Sequence, residues 1–177
     1  MLCFCGVPAA GAATPDKKSD KVVAIREAYA AALKNVELSK VEGIPHNYME
    51  SSLRYVVPAL GETFETLRCY YDQDVETEHW HVVYLPYFLT RKYNFSVRNI
   101  YEEYLFDSEG HLIFVFVKSD SMDGKEKVEE RYYFDSDGTL IKELVKGIAL
   151  NGADVVQRYG QTLYNSIRTQ LEANATR

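Results

Sequence analysis

A twelve-residue segment occurs twice in the chain, and this repeat restricts the folds that the chain can adopt. Residues 102–113 have the sequence EEYLFDSEGHLI and residues 130–141 have ERYYFDSDGTLI, and the two copies are identical at eight positions. Each copy places an Asp-Ser-acid-Gly segment between two apolar stretches. This pattern is typical of a β-hairpin, because Gly adopts a positive φ and Asp bonds the turn backbone. The repeat therefore predicts consecutive hairpins in one antiparallel sheet.

Period-two alternation of apolar and polar residues predicts the other strands. The strands expected from this alternation span 64–71, 79–85, 88–95, 100–106, 112–118, 128–134 and 140–146, with a short further candidate at 53–57. A polar turn at 72–74 and a break at Pro86 separate the first three. Strand 112–118 is apolar on both faces, with Leu112 and Phe114 on one and Val115 on the other, so it should be central and covered on both sides.

Helical spacing of apolar residues predicts a helix at each end of the domain. The first spans about 20–39, with Ser19 or Asp20 as its cap, and the second spans about 153–173, with Asn151 as its cap. The fold class is then α+β: an N-terminal helix packed on a curved antiparallel meander of six to seven strands, followed by a C-terminal helix. In general shape this arrangement resembles cystatin-like and NTF2-like domains, and such sheets can form a ligand cavity.

Residues 1–12 carry no charge and end in Ala10-Gly11-Ala12, which has the small-x-small form of a signal peptidase site. We interpret them as a signal peptide that lacks its basic start, the alternative being a disordered cytoplasmic tail. Residues 13–19 are interpreted as a tether, and residues 20–177 as a single domain exported to the periplasm or the extracellular space. The apolar run is shorter than the roughly 20 residues that cross a bilayer, so no transmembrane span is expected.

Cleavage of this segment would remove Cys3 and Cys5, and Cys69 would then have no disulfide partner. Alternation puts Cys69 on the same strand face as Leu67 and Tyr71. We therefore expect Cys69 to be a small core residue rather than a nucleophile, since the sequence identifies no base to activate it.

The composition limits the classes of partner. The net charge of −6, the pI near 5.3 and the lack of a basic stripe in the sequence argue against nucleic acid. The 14 Tyr residues suit half-buried strand positions, although a peptide- or glycan-binding face would also be rich in Tyr. No P-loop, Gly-x-Gly-x-x-Gly or Gly-x-Ser-x-Gly motif occurs in the sequence, so no cofactor is predicted.

His79, Trp80 and His81 form the sharpest local motif. Two His residues at i and i+2 share one face of a strand, as some zinc sites require. The three residues are therefore binding candidates. His79 and His81 are also the metal candidates, although no third ligand follows from the sequence.

Arg91 and Tyr93 lie in a basic, aromatic stretch of an otherwise acidic chain. Either this stretch binds an anionic partner, or its cations pair with the Glu residues at 102–103 and 129–130 on neighbouring strands, which we prefer. Adjacent Glu residues face opposite sides of a strand, and charges on exposed sheet edges are routine. We therefore assign no catalytic residue, and keep Arg91 and Tyr93 as binding candidates.

The chain resembles a group of small exported proteins from gut-dwelling anaerobic bacteria. The resemblance is carried by Ala28-Tyr29-Ala30 and by the segments 88–94, 101–107 and 112–114. It implies export and a bacterial envelope setting, and it carries no activity over, because the group has none assigned.

These observations favour an exported, non-enzymatic binding or interaction module that takes a protein, peptide or glycan. One alternative is a small metal-dependent hydrolase that uses His79 and His81. Another is a structural or inhibitory partner of a larger envelope protein. The ligand and the oligomeric state do not follow from the sequence.

Overall fold

A computed structural model describes residues 17–43, 46–76, 81–121 and 124–175. Within these ranges the chain forms two helices and seven strands. The elements are α1 (Lys17–Leu38), β1 (Tyr48–Val57), β2 (Gly61–Glu76), β3 (His81–Phe95), β4 (Arg98–Phe106), β5 (Leu112–Asp120), β6 (Lys127–Phe134), β7 (Leu140–Lys146) and α2 (Ala153–Ala175). The strands form one sheet in the order β1 to β7, and each pairs antiparallel with its neighbours in sequence. The predicted α+β meander between two helices is therefore confirmed.

Strand β3 continues through Pro86, so the predicted break into strands at 79–85 and 88–95 is wrong. Pro86 lies opposite Tyr71, where the register between β2 and β3 shifts at a β-bulge. A bulge tolerates a residue that has no N–H to donate to the ladder. The same long pairing includes residues 72–74, which belong to β2 and do not form the predicted turn.

Both copies of the repeat form hairpins with the same turn. In the first, the Asp107 N–H donates to the His111 carbonyl at 3.0 Å and the Gly110 N–H donates to the Asp107 carbonyl at 3.0 Å. The second hairpin makes the equivalent bonds at 2.8 and 2.9 Å. Gly110 and Gly138 have φ of +86° and +83°, as a type I turn followed by a left-handed residue requires.

Each repeat hairpin also carries a β-bulge beside its turn, where the register shifts at Phe106 and at Phe134. The shift places Leu112 in the same buried cluster as Val115, while Phe114 packs on the other face. The strict alternation expected at the start of β5 is therefore wrong. The prediction that β5 is covered on both faces is confirmed.

The two helices cover opposite faces of the sheet. The buried residues of α1 are Val22, Ile25, Ala32 and Val36. The buried residues of α2 are Val156, Gly160, Tyr164, Ile167 and Leu171. A Cβ added at Gly160 would lie 2.7 Å from the Leu112 side chain, so this glycine lets α2 approach the sheet closely. This approach sets the depth of the space between α2 and the sheet.

Helix α1 begins at Lys17, so residues 17–19 of the segment interpreted as a tether are helical. The segment interpreted as a signal peptide, residues 1–12, lies outside the described residues. Neither described helix combines the length and the apolar character that crossing a membrane requires.

The two turn glycines offer a matched pair of substitutions. Gly110→Ala and Gly138→Ala each place a methyl group at positive φ, which costs about 1 kcal/mol. The new Cβ at Gly110 would lie 2.5 Å from the Cζ atom of the buried Tyr164 ring, whereas at Gly138 it would meet the flexible end of Gln157 at 2.8 Å. We expect Gly110→Ala to lower the free energy of unfolding by about 1–3 kcal/mol more than Gly138→Ala in urea denaturation. An equal fall in the free energy of unfolding for the two variants would contradict the packing of Tyr164 on the first turn.

Candidate functional site

A cavity of about 240 Å³ lies between the sheet and the N-terminal part of α2. Its walls come from strands β3 to β6, from the segment that precedes α2, and from α2 itself. The residues that line it are Arg91, Tyr93, Glu102, Tyr104, Val117, Glu130, Leu150, Asn151, Val155, Val156 and Tyr159. Two of the residues that line the cavity, Arg91 and Tyr93, were predicted from the sequence as binding candidates.

Arg91 holds two carboxylates at the wall of this cavity. Its Nε and Nη2 atoms donate to the two oxygens of Glu65 at 2.7 and 3.0 Å, and its Nη1 atom donates to Glu102 at 3.2 Å. The side chains of Arg91, Glu65 and Glu102 are only 12%, 11% and 8% exposed. Burying charge is costly, so a cluster of this kind is stable only while its hydrogen bonds are complete. The preferred pairing of Arg91 with a neighbouring Glu is confirmed at Glu102, whereas Glu65 was not predicted.

Aromatic rings fix the orientation of this cluster. The guanidinium carbon of Arg91 lies 4.0 Å from the centroid of the Tyr93 ring and 5.1 Å from that of Tyr159. The Tyr93 and Tyr104 hydroxyls donate to Glu102 at 3.0 and 2.7 Å. Cation–π contacts and charge-assisted hydrogen bonds therefore act on the same groups.

The repeat supplies a second carboxylate to the cavity. Glu130 occupies the position of Glu102 in the second copy, and the Tyr132 hydroxyl donates to it at 2.6 Å, as Tyr104 does to Glu102. Both Glu residues pair in register with Val117 of β5. Their Cα atoms are therefore about 10 Å apart on one face of the sheet. A duplicated Glu-x-Tyr motif thus builds two sides of one cavity.

Glu130 also anchors the segment that leads into α2. It is 1% exposed, and its Oε1 atom accepts the Leu150 N–H at 2.9 Å. The Tyr132 hydroxyl lies 3.2 Å from the Asn151 carbonyl oxygen. These bonds hold the start of α2 above the cavity. Within the described ranges, Glu130 forms no ion pair with a Lys, Arg or His.

The pKa values of the groups around the cavity are shifted by burial and by their neighbours. Burial alone would lower the pKa of Arg91, but its hydrogen bonds to Glu65 and the charge of Glu102 raise it above the ordinary value. Burial, followed by the charge of Glu102, raises the pKa of Tyr93 and of Tyr104. At neutral pH, Arg91 is therefore a cation and both tyrosines are hydrogen-bond donors.

Three carboxylates that we expected on exposed edges are buried, and that expectation is wrong. Glu102 and Glu103 are each 6% exposed, and Glu130 is 1% exposed. The prediction that adjacent Glu residues face opposite sides is confirmed, since Glu103 accepts hydrogen bonds from Tyr29 of α1 and from Tyr101 on the other face. The signal that could have revealed two of these sites is the Glu-x-Tyr spacing present in both copies of the repeat.

The histidine motif is only partly described. His79 and Trp80 lie outside the described residues, and for His81 the structure gives the backbone pairing with Glu76 at the start of β3. The binding and metal roles of this motif stay predictions, as does the hydrolase that would use it. The residues that the structure describes contain no group of three or more His, Cys, Asp or Glu placed to hold a metal ion.

Cys69 is a core residue, as its strand position predicted. It is fully buried in the cluster that includes Leu67, and Tyr71 packs against that cluster. Burial raises the pKa of the Cys69 thiol to about 12. Because the thiolate is the nucleophilic form, Cys69 is unsuited to nucleophilic catalysis at neutral pH.

Comparison of the chain with protein-family models, with curated proteins and with solved structures finds no match. The function is therefore inferred from the geometry and chemistry of the described residues.

Arg91→Met tests whether the buried cluster is as tightly organised as its geometry indicates. The substitution leaves Glu65 and Glu102 buried without their cation, so we expect the free energy of unfolding to fall by about 3–5 kcal/mol in urea denaturation. Arg54→Met is the matched control, because Arg54 pairs with Glu62 across β1 and β2 while 69% of its side chain is exposed. The control should change stability by about 1 kcal/mol or less.

A triple variant separates charge from packing. Adding Glu65→Gln and Glu102→Gln to Arg91→Met removes the uncompensated carboxylates, so part of the lost stability should return. A triple variant no more stable than Arg91→Met would contradict the electrostatic explanation.

Proposed function

We propose that the chain is a non-enzymatic binding module whose cavity beneath α2 holds one uncharged sugar ring at the end of a glycan. The observation that carries the proposal is the composition of the cavity wall. Three tyrosine rings stand beside two fixed carboxylates, a guanidinium group and an amide. Such a wall offers apolar surfaces to the C–H faces of a sugar and a few placed polar groups to its hydroxyls.

Sugar hydroxyls both donate and accept hydrogen bonds, and the cavity supplies partners of both kinds. Three of the five N–H groups of Arg91 bind Glu65 and Glu102, which leaves two for a ligand. The Tyr159 hydroxyl and the Asn151 amide make no side-chain hydrogen bond within the part of the chain that the structure describes. Both groups line the cavity and can contact a ligand directly.

Size and charge narrow the class of ligand further. The volume of 240 Å³ is slightly below the roughly 300 Å³ at which small-ligand pockets begin, so it suits a single ring. Two carboxylates, Glu102 and Glu130, line the cavity beside one cation, Arg91, which is also bonded to Glu65. This excess of negative charge disfavours an anionic sugar.

Export to the bacterial envelope is part of the same proposal. It rests on the signal-like residues 1–12 and on the resemblance to small exported proteins of gut anaerobes. The proposed likeness to cystatin-like and NTF2-like domains is one of general shape: a helix, an antiparallel sheet and a cavity. A periplasmic or secreted module of this kind would meet glycans before uptake or at the cell surface.

A second candidate, a structural or inhibitory partner of a larger protein, is favoured by strand β1. No described strand pairs with its outer edge, and Leu53 and Val56 are 58% and 71% exposed. Exposed edge strands add extended segments of other chains through main-chain hydrogen bonds. A partner bound in this way would slow hydrogen exchange of the β1 amides and leave the cavity open.

Isothermal titration calorimetry of the protein with a panel of neutral oligosaccharides tests the sugar-binding proposal. Tyr159→Ala should weaken binding by about tenfold or more, because it removes one wall and its hydroxyl. Val155→Trp should abolish binding by filling the cavity. Tyr48→Ala is the matched control, since Tyr48 is 50% exposed and packs on Tyr70 on the opposite face of the sheet.

The outcomes are distinct. Saturable binding that is lost in the cavity variants and kept in Tyr48→Ala supports the proposal. Equal losses in Tyr159→Ala and Tyr48→Ala, or no binding of any oligosaccharide, would contradict it. Mass spectrometry of the recovered ligand completes the test, because a cleaved oligosaccharide would contradict a non-enzymatic role.

A further inference from the structure

A second concave surface, of about 590 Å³, lies on the face of the sheet that α1 only partly covers. Lys92, Lys118 and Lys127 line it together with Tyr101 and Phe64. No Asp or Glu is among the described residues of its lining. In a chain with a net charge of −6, these three lysines bring positive charge to one surface, although Lys127 is bound to Asp120 and the Lys118 Nζ atom lies 4.0 Å from Glu129. We call it the lysine surface.

The fold assembles the lysine surface from residues that are far apart in sequence. Thr66, Lys92, Tyr101 and Lys118 pair in register across β2, β3, β4 and β5 and so lie in one line across the sheet. Lys92 and Lys118 are two strands apart, which places their Cα atoms about 10 Å from each other. The sequence shows no basic stripe because each lysine comes from a different strand.

Two of these lysines are available to a ligand. Lys92 has no carboxylate partner within the described residues. The Lys118 Nζ atom is 4.0 Å from Glu129, at the limit of an ion pair, and 49% of its side chain is exposed. Lys127 is bound to Asp120 and therefore contributes less free charge.

The concave surface that contains Lys92 is elongated rather than compact. A neighbouring depression of about 230 Å³ shares Lys92 and Tyr101 with the lysine surface, and Arg68, Glu50 and Lys40 also line it. Arg68 is paired with Glu50, and Lys40 with Glu37, so these cations border the surface without dominating it. A ligand that used the whole surface would be an extended chain carrying spaced negative charges.

The geometry argues against three other anionic partners. Single-stranded nucleic acid binds by stacking its bases on aromatic rings, and here cations compete for those rings: the Arg54 guanidinium lies 5.3 Å from the Phe64 centroid and the Lys92 ammonium 5.6 Å from that of Tyr101. A lipid bilayer is flat, and this surface is concave. An acidic peptide would gain most by adding a strand, but the strands beneath the surface are all paired on both sides.

We propose that the lysine surface binds an acidic polysaccharide, with Lys92 and Lys118 contacting separate anionic groups along the chain. The site is distinct from the cavity beneath α2, because Lys92 and Lys118 lie on the face of the sheet opposite Arg91 and Val117. Of the described lining residues, Tyr93 is common to both sites. Recognition is electrostatic and therefore weakens as the salt concentration rises.

Binding of a polygalacturonate oligomer to the exported chain at low ionic strength tests this proposal. The double variant Lys92→Gln, Lys118→Gln should weaken binding by about tenfold and reduce its salt dependence. The matched control is Lys34→Gln, Lys142→Gln, which removes the same charge from two exposed lysines outside the surface. The control should bind within about twofold of the unmodified chain.

Each further outcome decides for or against the proposal. Fully methyl-esterified polygalacturonate should fail to bind, and Tyr159→Ala should leave binding of the acidic oligomer unchanged. Equal losses in the two double variants would overturn the proposal, because binding would then follow net charge alone. Tighter binding of an oligonucleotide or of polyglutamate with the same number of charges would overturn the assignment to a polysaccharide.

Discussion

A buried cation on strand β3 constrains the rest of this protein. The Arg91 side chain is only 12% exposed and keeps its charge, so two carboxylates must stay within hydrogen-bonding distance of it. Glu65 on β2 and Glu102 on β4 meet this need, which ties three adjacent strands into one register. A slip of one residue in either pairing would turn a charged partner to the opposite face of the sheet. The stability of the sheet and the shape of the cavity therefore depend on the same hydrogen bonds.

The duplicated hairpin extends this arrangement across the sheet. Each copy places a Glu and a Tyr two positions apart on the face beneath α2. The Tyr hydroxyl donates a hydrogen bond to the buried carboxylate and so satisfies part of its hydrogen-bonding capacity. In the second copy, Glu130 has no cation partner among the described residues and instead accepts the Leu150 N–H. The two copies of the repeat thus have different roles: Glu102 of the first belongs to the charged cluster, and Glu130 of the second holds the segment that leads into α2. The cavity lies between them.

The turns and helices of the fold could be predicted from the sequence, whereas contacts between residues far apart in the chain mostly could not. The Asp-Ser-acid-Gly turns and the helical stripes were predictable, because turn chemistry and periodicity act over a few residues. The continuation of β3 through Pro86 was not, since it depends on a bulge opposite Tyr71. The burial of Glu102 and Glu130 likewise depends on a helix that lies more than twenty residues further along the chain. The lysine surface could not be predicted from the sequence either, because its lysines come from different strands.

Arg91 is a fixed part of the site, held by three hydrogen bonds to Glu65 and Glu102, and not a mobile surface cation. Nitrogen-15 NMR of the arginine side chains measures this directly through the exchange of each Nε–H with water. We expect the Arg91 Nε–H to exchange at least about a hundredfold more slowly than that of the exposed Arg54. Equal exchange rates for Arg91 and Arg54 would contradict it, and the cavity beneath α2 would then lack the rigid wall on which the proposed function rests.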